Sequence, residues 1–194
     1  LISNNNKELE IDCISFKDYQ KMFNQAQGYI QKGDIYQINY SIKYTVNNRL
    51  DIMQLFHEIR EKSPAPYGAY VNCFGFQVIC NSPELFFKKQ KNNIQTKPIK
   101  GTIKRGYNQQ MDLEMKNKLL NSSKDQAELV MITDLERNDL NRICKVDSVK
   151  VEELRCIKAY KYLFHTLSVI KGVLKKNYRL FEIMKHLFPG GSIT

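Results

Sequence analysis

Apolar residues recur at helical spacing over residues 15–32, at Phe16, Tyr19, Phe23, Ala26 and Ile30. Ser15 and Asp18 form a capping box ahead of that run, and Gly33-Asp34 stops it. The period then drops to two. Tyr36, Ile38, Tyr40, Ile42, Tyr44 and Val46 alternate with polar residues, which predicts one long strand over 36–46 with a single polar face. A second amphipathic helix, 50–62, ends at Ser63-Pro64, where the residue before proline is pushed out of helical geometry. Residues 67–80 read as two strands turning near Gly75, and strands over 84–89 and 94–99 flank the Asn92-Asn93 turn. Helical spacing returns over 108–121 and 124–137, with Ser123 and Gln126 as the second helix's capping box. Strands are predicted at 142–151 and 160–174, and a last helix near 178–187 runs into Phe-Pro-Gly-Gly-Ser-Ile-Thr. Strands joined by short turns predict an α+β fold of mostly antiparallel sheets, with helices packed outside them.

Composition narrows the function classes. The 194 residues are 42% hydrophobic and 11% aromatic, enough for a packed core. No run approaches the roughly 18 consecutive apolar residues of a membrane span. The opening Leu-Ile-Ser-Asn has neither Met nor a signal layout, so a piece of a longer protein is expected. Five cysteines without a C-x-x-C pair argue against a disulfide framework or zinc site; reduced thiols in the cytoplasm, packed as small hydrophobes, fit better. The net charge of +10 suits a polyanion or a small anionic substrate, but the lysines scatter over polar turns and no nucleic-acid motif accompanies them. Glycine-rich nucleotide motifs are absent as well.

Chemistry is carried by a few residues. Lys100, in Pro98-Ile-Lys-Gly-Thr102, lies at a predicted strand end. There it is either an exposed loop lysine or, held in a cleft, a nucleophilic amine. Glu84 precedes it on a neighbouring strand, near enough across a hairpin to trade protons with it, unless it is a surface residue. Asp125 and Glu128 share one helical face: a solvated acidic surface, or part of an oxygen shell for Mg²⁺. Asp134-Leu-Glu-Arg-Asn-Asp139 reads as a charged turn with internal pairing. His165 shares a strand face with Leu163, Leu167 and Val169, as a core histidine or, on a cavity, a general acid. Pro189-Gly-Gly-Ser-Ile-Thr194 is a glycine turn suited to an anion if a helix begins beyond it.

Taken in order, Gly33–Ser41, Ser82-Pro-Glu84, Pro98–Thr102, Glu128–Asp139, His165–Ser168 and Phe188–Thr194 resemble the chorismate-binding enzymes, from about residue 15 to the end. The family's fold of facing antiparallel sheets is then implied, as one catalytic domain over 1–194 that lacks its C-terminal part. Lys100 and the Gly-Asp-Ile-Tyr-Gln segment lean toward the aminodeoxychorismate synthase branch, since anthranilate synthases usually carry Ala at the lysine's place.

The resemblance also implies roles. Lys100 would be the covalent nucleophile, Glu84 the acid/base carboxylate and His165 the histidine near the departing hydroxyl. Gly101, Thr102, Gly190, Gly191, Ser192 and Thr194 would hold chorismate. Glu128 would bind Mg²⁺ with Asp125 behind it, and Pro66-Tyr67-Gly68 fall where some relatives hold tryptophan. Ammonia would come from a glutamine amidotransferase subunit or domain. The sequence departs from the pattern at Lys104 and Asn141. The family's later Gly-Ala-Pro-Lys, carboxylate-binding Arg and second metal-binding Glu are missing, so weak binding and poor turnover are expected of this stretch alone. The rival readings are anthranilate synthase component I, a non-catalytic remnant of the family, and a basic nucleic-acid binder.

Overall fold

A computed structural model of the chain describes residues 10–35, 37–47 and 50–193. It divides into two compact units, one within residues 1–55 and the other Phe56–Ile193. In the first, β1 (Ile11–Asp12) pairs antiparallel with β2 (Thr45–Val46), and between them lies α1 (Phe16–Lys32). The Ser15 hydroxyl accepts the Asp18 N–H at 3.1 Å, and Gly33 closes the helix in the left-handed region at φ 78°. The expected strand over 36–46 is reduced to Thr45–Val46; residues 37–44 carry no ladder, and Tyr36 lies outside the described residues. Alternation marks side chains that suit a pleated surface, but a strand forms only where a neighbour completes its hydrogen bonds. Here β1 supplies two residues.

After α2 (Ile52–Lys62), β3 (Tyr67–Cys73) and β4 (Phe76–Ser82) form a hairpin that turns at Gly75, φ 88°. The main sheet contains β5 (Leu85–Gln90), β6 (Asn93–Lys97), β7 (Ile99–Lys104), β8 (Lys150–Ala159) and β9 (Leu163–Val173), all antiparallel. The central strand is β9, with β8 along one edge and β6 then β7 along the other. Of the remaining helices, α3 (Gln109–Leu120) and α4 (Ser123–Ile143) pack on the sheet, and α5 (Leu180–Leu187) packs on α4. The core joins Ile94 and Ile170 of the sheet to Leu140 and Ile143 of α4 and Ile183 and Leu187 of α5.

Four expectations change in this unit. The cap of α4 is Ser122, whose hydroxyl accepts the Asp125 N–H, not Ser123. The helix also runs on to Ile143, so Asp134–Asp139 is helical rather than a turn, although Arg137 does pair with Asp134. Leu129, Ile132, Thr133, Leu140 and Ile143 form a continuous buried stripe that carries the helix past its charged stretch. The strand expected at 142–151 accordingly starts later, as β8 at Lys150.

The fourth change bears on chemistry. Pro98 interrupts the strand expected at 94–99, yet β6 and β7 keep one register along β9 up to Ile99↔Leu167. The register then slips, because Thr102 pairs with His165 and leaves Lys100 and Gly101 opposite Thr166 alone. This is a β-bulge with its glycine in the left-handed region at φ 88°. Lys100 is therefore inside a strand, on the bulge, rather than at a strand end.

Candidate active site

Bulges re-aim side chains, and this one sends Lys100 to the glycine turn after α5: its Nζ donates to the Ser192 carbonyl at 2.9 Å. The Thr166 hydroxyl donates to the Lys100 carbonyl and pins the bulge to β9. Gly101 is required twice. Its φ is one that other residues rarely adopt, and a Cβ there would lie 2.7 Å from Thr166 Oγ1 and 3.0 Å from Asp125 Cβ. The first turns of α4 thus press directly on the bulge.

Glu84 sits between β4 and β5, where its N–H donates to the Ser82 hydroxyl. Its Oε1 accepts the Ile99 N–H at 2.8 Å, one residue before Lys100. The carboxylate lines a cleft of about 390 Å³ with Ser82, Phe86, Glu136, Gly190 and Ser192. The strand pair thus brings Glu84 beside the Lys100 segment, while the amine itself turns to Ser192.

Glu136 was not among the predicted site residues. It stands on the buried stripe of α4, four residues beyond Ile132 and four before Leu140. The Thr96 hydroxyl of β6 donates to its carboxylate. Burial pushes the Glu136 carboxyl up to about 7; the Thr96 bond opposes this, and the negative charge of Glu84 adds to it. The signal was in the sequence, as a charged residue in register with an apolar stripe. It becomes visible only once the helix is known to continue past Arg137.

His165 is 8% exposed, and its Nδ1 is in hydrogen-bond contact with Thr102 Oγ1 at 2.8 Å. Burial holds the imidazole below its ordinary pKa; the Gly101 backbone and the charge of Glu84 act in the opposite direction. Both faces of β9 are buried here, so His165 lies among Phe164, Thr166 and Leu167, not on one apolar face alone.

Asp125 and Glu128 both lie in the first two turns of α4, with Asp125 against the bulge and Glu128 3.9 Å from Lys124. Among the described residues no group of three metal-ligating side chains forms. Two carboxylates on one helix face do fit Mg²⁺, which takes one or two protein oxygens and keeps water or substrate oxygens for the rest.

Of the glycine turn, Gly190 and Gly191 are buried, and a Cβ on Gly191 would meet Leu135 Cδ2 at 2.6 Å. Thr194 lies outside the described residues. Pro66 precedes β3, and Tyr67 and Gly68 open it; Gly68 pairs with Asn81, and Tyr67 pairs with Ser82, which lines the cleft beside Glu84. All five cysteines are free; only Cys144 is buried, Cys73 and Cys156 are half-buried, and Cys13 and Cys80 are exposed, so most do not pack as the small buried hydrophobes expected. Burial pushes the thiols of Cys144 and Cys156 up to about 11, so both stay protonated. No helix among the described residues is long and apolar enough to cross a membrane.

The family model for chorismate binding enzymes matches residues 2–194. The aminodeoxychorismate synthase component 1 of Bacillus subtilis is 38% identical over 91% of this chain and 37% of its own length. The anthranilate synthase component 1 of Saccharolobus solfataricus is 34% identical over 94% of this chain and 44% of its own. The crystal structure of anthranilate synthase component I from Streptococcus pneumoniae superposes with a TM-score of 0.85 at 25% identity, over 97% of this chain and 41% of that one. The chain spans about two fifths of the length of these relatives.

Proposed function

The chain belongs to the chorismate-binding enzymes, and we propose that it carries the lysine-bearing part of an aminodeoxychorismate synthase component I. The observation that carries this reading is Lys100, set on a bulge one residue from the Glu84–Ile99 hydrogen bond, at a cleft edged by the Ser192 turn. A covalent lysine step divides one difficult substitution into two easier ones. Neutral Lys100 Nζ would attack C2 of chorismate; the ring double bonds shift, the C4–O bond breaks, and the hydroxyl takes up a proton and leaves as water. Ammonia would then add at C4 and expel the Lys100 nitrogen from C2, giving 4-amino-4-deoxychorismate for para-aminobenzoate and folate synthesis. Glu84, which lines the cleft, and His165, which bonds Thr102, would move that proton.

Asp125 and Glu128 would hold Mg²⁺, which when bound would offset the charge of a substrate carboxylate. Gly101, Thr102 and the Gly190–Ser192 turn would close around the dianion, and ammonia would arrive from a glutamine amidotransferase subunit or domain. Residues 1–194 alone are expected to bind chorismate weakly and to turn it over slowly, because they match only about two fifths of each relative.

The test is product identity with chorismate, ammonium and Mg²⁺. The expected product is non-aromatic 4-amino-4-deoxychorismate, lost on Lys100→Ala. Aromatic anthranilate with released pyruvate would instead favour the second reading, which the anthranilate synthase relatives support.

A further inference from the structure

Glu136 is a half-buried carboxyl that the chemistry above does not use. From α4 it lines the same cleft as Glu84, and that cleft is edged by Ser192, whose carbonyl accepts the Lys100 amine. The Thr96 hydroxyl anchors it from β6. Glu84, ahead of β5, Asp139 on its own helix and Lys100 on the bulge are the charged groups that act on it. Two carboxyl groups in one small cleft resist ionising together, and a nearby ammonium favours whichever is charged. We propose that Glu136 is a positioning residue for the Lys100 amine. Protonated, it leaves Lys100 on the Ser192 carbonyl; ionised, it draws the Lys100 amine away from that carbonyl toward itself. This rests on Lys100 being the reactive group, as read above, and adds a pH gate to it.

The test needs no chorismate, so it stands whichever product the protein makes. Glutamate carboxyl carbons are labelled with ¹³C and titrated by NMR in the intact protein. One resonance should move with a midpoint near 7 and vanish in Glu136→Gln. Its midpoint should rise by about half a pH unit in Lys100→Met and fall by a similar amount in Glu84→Gln. In parallel, the rate at which trinitrobenzenesulfonate labels Lys100 is followed against pH by peptide mass spectrometry. The wild-type profile should carry a step at the Glu136 midpoint, absent from Glu136→Gln. Should Glu136→Gln not fold, Thr96→Val keeps the carboxyl and removes its hydrogen bond, so the midpoint and the labelling step should both move up. Midpoints unmoved by Lys100→Met and Glu84→Gln, or a labelling step that stays put in Glu136→Gln or Thr96→Val, would reduce Glu136 to a half-buried structural acid.

Discussion

Helices α1 and α4 make an instructive pair. The first has the more regular sequence, with a serine cap, apolar residues at helical spacing and a left-handed glycine stop, yet none of its residues is buried. Phe16 is 77% exposed and Phe23 48%. The second is interrupted by a charged run, yet Leu129, Ile132, Leu140 and Ile143 are each at most 2% exposed. Spacing and caps decide whether a segment prefers to be a helix; what the helix contributes depends on a partner surface. The sheet around β9 gives α4 that surface, and only there does Asp125 meet the bulge and Glu136 acquire neighbours that shift its ionisation.

Five substitutions sharpen the contrast. Ile170→Ala, in the centre of β9, should cost about 2–5 kcal/mol in chemical denaturation, whereas Phe23→Ala on α1 should cost about 0.5 kcal/mol or less. A large loss from Phe23→Ala would mean that α1 is held by a surface as extensive as that of α4.

Glu136 gives the next effect. Its proton is retained up to about pH 7 in the native state but is lost near 4.5 when unfolded, so its contribution to stability is full below pH 4.5 and disappears as pH rises through 7. Glu136→Gln should remove that loss, amounting to about 3 kcal/mol between pH 4 and pH 8. Denaturation midpoints at the two pH values check it. His165 acts with the opposite sign: its pKa is depressed on folding, so its contribution is full above 6.5 and is lost as pH falls below that. The imidazole resonance should titrate below 6.5 by NMR, and a midpoint above it would contradict the burial described.

Glycines supply the smallest pair. Gly101→Ala adds a Cβ in a left-handed bulge against Thr166 and Asp125, and should cost about 1–3 kcal/mol in thermal unfolding. Gly28→Ala, in the middle of α1 with open space around it, should instead gain about 0.5–1 kcal/mol.

Much of the fold was legible, for local reasons. Ser15, Gly33, Gly75 and Ser63-Pro64 each mark an element end by their own backbone chemistry, and the ends fall where those residues stand. What depended on distant partners was not legible. Residues 37–44 alternate like a strand without gaining a ladder, and 142–143 belong to α4 because its stripe finds the core. The same division holds at the site. Lys100, Gly101 and Glu84 stood out as a motif, whereas the bulge exists only through the register of β7 on β9, and Glu136 matters only through α4 packing beside the cleft.

The central claim is that Lys100 is the nucleophile, and one mass measurement addresses it most directly. The protein is incubated with chorismate and Mg²⁺ without ammonia, digested, and the peptide containing Lys100 is weighed. The account predicts an adduct of chorismate less one water on Lys100, discharged when ammonium is added. Chorismate consumed in the presence of ammonium with Lys100 unmodified at every time point, or an adduct on another residue, would contradict it.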